Sequence, residues 1–97
     1  MKKWYVYIMT NHKHWTLYVW VTSNLEQRVY QHKMKYFRWF TAKYDLDKLV
    51  RFQESPTIQD AIEEEKRLKW GNRKQKILLI ENINPNWKDL ASSLDLV

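Results

Sequence analysis

The stretch TLYVWVTSNLEQRVYQH, residues 16–32, joins a strand to a helix, and its reading decides the fold. Residues 16–22 are mostly β-branched or aromatic, which suits a strand on a pleated, half-buried surface. Ser23 and Asn24 then open a helix. Asn24 can cap its N-terminus, and Gln27, three residues on, can complete a capping box. Leu25, Arg28, Val29 and His32 share one face at helical spacing. A guanidinium and an imidazole on an otherwise apolar face require a partner or a function.

Working outward, residues 4–10 (WYVYIMT) form a strand before a polar turn, NHKHW. The short gap implies an antiparallel hairpin centred near residues 12 and 13. Residues 33–47 are basic and aromatic and read as a loop or broken element, and residues 48–54 as a third strand. The SPT triplet closes that strand, and Ser55 or Thr57 opens a helix reaching about Lys69. On that helix Ile58, Ala61, Ile62, Glu65 and Leu68 share a face, so Glu65 is the one carboxylate of EEE turned toward apolar neighbours. Glu63 and Glu64 belong to a solvated face, with Arg67 and Lys66 or Lys69 nearby as partners. Gly71 and Asn72 break the helix, and residues 73–82 form another, with Ile77, Leu78 and Ile80 in its apolar set. The order β-β-α-β-α-α defines an α+β domain over residues 1–84, and residues 85–97 form a tail that packs on it, with Trp87 docking a final turn.

A chain of 97 residues holds a single core, and 44% hydrophobic residues suffice to pack it. The absence of cysteine excludes disulfides and thiolate zinc sites and fits a reducing cytoplasm. Apolar runs are too short for a membrane span, and MKKWYVYIMT reads as a strand rather than a signal peptide. A formal net charge of +6 favours polyanions, above all nucleic acid.

Tyr7 and Tyr18 lie on adjacent strands of the hairpin and come close together. If both helices pack on one side of the sheet, Tyr7, Tyr18, Arg28, His32 and Glu65 converge. An Arg can clamp a phosphate, a Glu can hold a divalent metal, and a Tyr or His can move a proton. That set suits metal-assisted phosphodiester hydrolysis. Each residue also has an ordinary explanation: rim tyrosines, an Arg–Glu pair, a polar helix end. A different reading is a binding module without catalysis. Its contacts would come from Lys33, Lys35, Arg38, Lys43, Arg73, Lys74 and Lys76, with Tyr36, Phe37 and Phe40 interleaved to stack on bases.

These residues resemble the GIY-YIG nuclease superfamily, in particular its small single-domain members. YVY (residues 5–7) corresponds to the first name motif and YVW (residues 18–20) to the second. The helix after them carries the family's Arg at Arg28 and His at His32, and DAIEEEKRLK carries its metal-binding Glu at Glu65. The segment LKWGNRKQKILLIENINPNWKDL resembles the C-terminal signature. The resemblance implies a small three-stranded antiparallel sheet flanked by helices. It also implies hydrolysis of DNA, in branched or damaged structures, with one Mg²⁺ (or Mn²⁺). By the same resemblance Tyr18 accepts a proton from, or orients, the attacking water, and Tyr7 hydrogen-bonds at the scissile phosphate. Arg28 stabilises developing charge, Glu65 fixes the metal and His32 assists proton transfer.

Departures from the family pattern centre on one residue type. The two name motifs carry Tyr5 and Trp20 where the family has Gly, and Trp15, Trp39 and Trp70 stand at further Gly positions, with Trp4 a less clear case. Trp87 corresponds to a family Trp. Trp at a position that needs a positive φ or a close backbone approach implies local strain, and Trp20 implies a partly covered site. The chain has six Trp and one Gly, against a usual Gly frequency of about 7%. The hypothesis that follows is that several of these Trp mark UGA codons read as Gly in the source organism. Intact mass of the protein from its native source is then expected to fall below that of the all-Trp chain. A mass matching six tryptophans removes the idea.

Overall fold

The computed structural model describes residues 3–11, 16–34 and 46–94. Its elements are β1 (Trp4–Thr10), β2 (Leu17–Thr22), α1 (Leu25–Lys33), β3 (Lys48–Ser55), α2 (Ile58–Trp70), α3 (Arg73–Ile83) and a closing 3₁₀ turn (Leu90–Leu94). The sheet runs β2-β1-β3 with both pairings antiparallel, which is the expected three-stranded α+β arrangement.

β1 is the central strand, and Val6 to Thr10 are buried without interruption because both faces of the sheet are covered. On one face Val6 and Ile8 pack with Val19 and Val50 against Ala61 and Leu68 of α2, Ile80 of α3 and Trp87. On the other, Tyr7 and Met9 pack with Leu49 against Leu25 and Val29 of α1 and against Ala91. The two helices therefore lie on opposite sides of the sheet, so the condition expected for the five residues to converge, both helices on one side, is not met.

The hairpin register also differs from expectation. Tyr7 stands opposite Trp20, and Tyr18 stands opposite Met9. A centre near residues 12 and 13 would pair Tyr7 with Tyr18, so the true register is displaced by two residues. A shift of two keeps every side chain on its own face, and the two tyrosines remain neighbours on a diagonal.

The helix starts follow the side chains available to cap them. Asn24 Oδ1 accepts from Gln27 N, but the backbone N–H of Asn24 donates to Thr22 Oγ1, so the capping box expected with Gln27 is only half formed. The complete box is at Asn72 and Gln75, opening α3. A Cβ on Gly71 would sit 2.9 Å from Gln75 Oε1, the oxygen that accepts from Asn72 N, so the glycine leaves room for that cap. On α2 the buried positions are Ala61 and Leu68, whereas Ile58 and Ile62 of the expected stripe are exposed.

Strain at the tryptophans is not where the family comparison places it. Among the described residues Trp87 alone combines a side chain with a positive φ, 54°. Trp4, Trp20 and Trp70 do not, and Trp15 and Trp39 lie outside the described residues. Trp87 is held there by burial and by its indole N–H donating to Glu81 Oε2 at 2.7 Å.

β1 and β3 slip by one residue between Ile8 and Met9, a bulge that lets Leu49 and Phe52 face the same side although three apart. Asn84, the buried C-cap of α3, ties this bulge to the tail. Its Nδ2 donates to the carbonyls of Val50 (3.1 Å) and Lys88 (2.8 Å), and its Oδ1 accepts from Lys88 N. Asn84→Asp keeps the shape and removes both donors. Because each orphaned buried carbonyl costs about 1–3 kcal/mol, urea unfolding of this variant is expected to show a loss of about 3 kcal/mol. An unchanged midpoint would show that the bulge does not depend on Asn84.

Candidate functional site at the edge of the sheet

Strand alternation turns Tyr7 of β1 and Tyr18 and Trp20 of β2 to the α1 side, at the edge where β2 has no further partner strand among the described residues. Leu25 and Val29 fasten α1 to that face, and the same helical stripe carries Arg28 and His32 inward. The Tyr7 hydroxyl and His32 Nε2 are hydrogen-bonded at 3.0 Å, and both residues are fully buried. The Tyr18 ring meets the His32 ring edge-on at 5.2 Å and the Tyr7 ring at 6.4 Å, so the three rings form one cluster. Tyr18 and Arg28 are half-buried and reach the surface.

Glu65 approaches from α2 on the opposite face, around the β2 edge. It lies close enough for its charge to raise the proton affinity of both Tyr7 and Tyr18, which Arg28 lowers. Five residues from four elements thus share one electrostatic environment. Tyr7 is held far above the ordinary phenol range by burial first and then by Tyr18. Tyr18 is raised for the same leading reason. Burial, aided by Arg28, pushes His32 down to about 4. At neutral pH both phenols keep their protons and the imidazole is uncharged, which suits donation from the Tyr7 hydroxyl to Nε2.

Two further residues complete the edge. Trp20 stacks on Tyr18, with ring centroids 6.0 Å apart and planes 23° from parallel. The Lys69 ammonium lies 4.2 Å from the centre of the Trp20 ring and 3.4 Å from Glu65 Oε2. Sequence reasoning treats Lys69 as a partner for the solvated acids. Its i, i+4 spacing from Glu65 is the signal that points to the observed pair. Glu64 is bound by Arg67, which leaves Glu65 as the carboxylate facing the ring cluster.

A divalent cation would find oxygen donors here rather than a prebuilt cage. Among the described residues no group of three or more His, Cys, Asp or Glu is arranged to hold a metal. A single carboxylate fits Mg²⁺ or Mn²⁺, hard ions that keep several waters and share the oxygens of a phosphate. A cavity of about 390 Å³ between α2 and α3 includes none of the five residues.

The expected nucleic-acid contacts divide into three groups. Lys35, Arg38 and Lys43, with Tyr36, Phe37 and Phe40, lie outside the described residues. Lys33 is engaged inside the fold, donating to the Asp47 carbonyl and to Asp89. Arg73 and Lys74 are exposed on the first turn of α3, and Lys76 donates to the Gly71 carbonyl beside the β2 edge. No helix among the described residues is long and apolar enough to cross a membrane.

The buried imidazole makes stability depend on pH. His32 titrates near 4 in the folded chain and near 6.5 when unfolded, so the unfolded chain takes up the proton first as pH falls. Stability is expected to be full above pH 6.5 and to decline by up to about 3 kcal/mol toward pH 4. Urea unfolding of the wild type and of His32→Gln across that window isolates this contribution. Parallel curves would show that His32 does not titrate as its burial requires.

Residues 3–77 match the GIY-YIG catalytic domain. The fold is similar to the solution NMR structure of a UPF0213 protein from Bacillus halodurans, with a TM-score of 0.58 and 21% sequence identity. That similarity covers 90% of this chain and 92% of the other, and at this identity it speaks to the fold. No curated protein matches the chain. With the family match running from β1 into α3, and the same strand-and-helix arrangement in a small solved relative, the chain belongs to the GIY-YIG family of nuclease domains.

Proposed function

We propose that this domain is an endonuclease that hydrolyses phosphodiester bonds in DNA, with branched or damaged structures as its substrates. The observation that carries the reading is the gathering of Tyr7, Tyr18, Arg28, His32 and Glu65 at the β2 edge.

In this reading Arg28 clamps the scissile phosphate and stabilises the charge that develops on it. Tyr18, which reaches the surface, orients the attacking water. Burial and Glu65 hold its proton in the resting site, and Arg28 works in the opposite sense. Neutralising Glu65 would remove one of the two influences that keep Tyr18 protonated. That favours loss of the phenol proton to solvent, which must come before the phenolate can take a proton from the attacking water. Tyr7 and His32 are buried against each other, so they act as positioning residues behind Tyr18 rather than as direct contacts to phosphate. Glu65 is the residue that would hold Mg²⁺ or Mn²⁺, which supplies Lewis-acid stabilisation at a phosphoryl oxygen when bound. Arg73, Lys74 and Lys76 would follow the DNA backbone.

Cleavage of a panel of junctions, flaps and duplexes in Mg²⁺ or Mn²⁺ tests the proposal. Glu65→Ala and Arg28→Ala are each expected to lower the rate by about a hundredfold or more. Undiminished cleavage by Glu65→Ala removes the mechanism. The covering of Tyr18 by Trp20 favours one alternative, a DNA-binding module without catalysis. Binding without cleavage, with a steep dependence on salt, would establish it.

A further inference from the structure

The edge of the site holds a cation of the protein's own. Lys69 sits one helical turn beyond Glu65 on α2 and places its ammonium 3.4 Å from Glu65 Oε2. An exposed i, i+4 lysine ordinarily samples many positions and contributes little. Here the ammonium also lies 4.2 Å from the centre of the Trp20 ring, an attraction of the cation–π kind. Trp20 is itself fixed by stacking on Tyr18. The lysine is thus gripped from two sides, and the carboxylate it covers is only 15% exposed.

The Trp20 ring is engaged by both Tyr18 and Lys69 and stays 41% exposed. Its use is to hold the ammonium over the acid. Beside it runs a groove of about 370 Å³ lined by Leu17, Tyr18, Val19, Trp20, Lys69 and Lys76. An ammonium leaving Glu65 along this groove would meet the phosphates of a bound strand, with Lys76 adjacent.

We infer that, in the chain with tryptophan at position 20, Lys69 is a built-in counter-cation of Glu65, latched by Trp20, which a divalent ion must displace to reach the carboxylate. The inference rests on the reading of Glu65 as the metal-holding residue. Two positive charges cannot share one carboxylate at low cost, so the latch weakens metal binding to the free protein and is released when DNA phosphate takes the lysine. Lys69 is in this sense a positioning residue that couples metal entry to the presence of substrate.

The test is Mn²⁺ binding to the full chain without DNA, followed by the electron spin resonance of free Mn²⁺. Lys69→Met keeps the stem and removes the charge, and it is expected to bind Mn²⁺ about tenfold more tightly than wild type. Trp20→Leu, which removes the ring but leaves the lysine, is expected to tighten binding by a smaller factor. Glu65→Ala is expected to abolish the site in either background. If Glu65→Ala removes binding while Lys69→Met equals wild type, the latch is overturned and the metal reading survives. If Glu65→Ala binds as the wild type does, the metal reading fails and the latch with it.

Discussion

A phenol hydroxyl in the centre of a sheet must find a partner, and that requirement organises this molecule. β1 is covered on both faces, so the Tyr7 hydroxyl has no access to water. His32 Nε2 supplies the partner at 3.0 Å. To deliver it, α1 must dock with the stripe Leu25, Val29 and His32 against the strands, which also carries Arg28 to the β2 edge. Burial and repulsion from Arg28 disfavour a charged imidazole in this setting, so His32 is neutral at neutral pH. The Tyr18 ring then rests on a rigid pair of rings rather than on a mobile side chain.

The site spans the sheet instead of lying on one of its faces. Arg28 and His32 come from α1 on one side, and Glu65 comes from α2 on the other. They meet at the edge strand, where Trp20 and Lys69 also lie. Arg28 and Glu65 act on the phenols with opposite sign, so the proton affinity of Tyr18 is a balance that neighbouring charges can tip.

Much of this was legible in the sequence because it depends on local chemistry. Alternation in WYVYIMT gives β1 as observed, and the phase of α1 places Arg28 and His32 on the face that carries them inward. Glu65 was separable from Glu63 and Glu64 by the positions of Ala61 and Leu68. What escaped was long-range. The hairpin register turns on the loop and the sheet, and a displacement of two residues leaves no mark on the hydrophobic pattern. The side on which each helix packs is likewise unwritten, because β1 has apolar or aromatic residues facing both ways. Ile58 and Ile62 mimic a buried stripe yet stay more than a third exposed. Trp87 adopts a left-handed backbone that its residue type disfavours, and tertiary burial sustains it.

Joining the site across an edge strand has a consequence for its durability. β2 is held by β1 alone within the described sheet, and it carries Tyr18 and Trp20. β1 and β3, with α1 and the tail, share a core that does not include β2 except through Tyr18. Fraying of β2 would carry Tyr18 and Trp20 away from His32 and Lys69 while that core stayed closed. β2 is also anchored through Val19 in the core under α2, so the working lifetime of the site is set by the β1–β2 seam and that packing together.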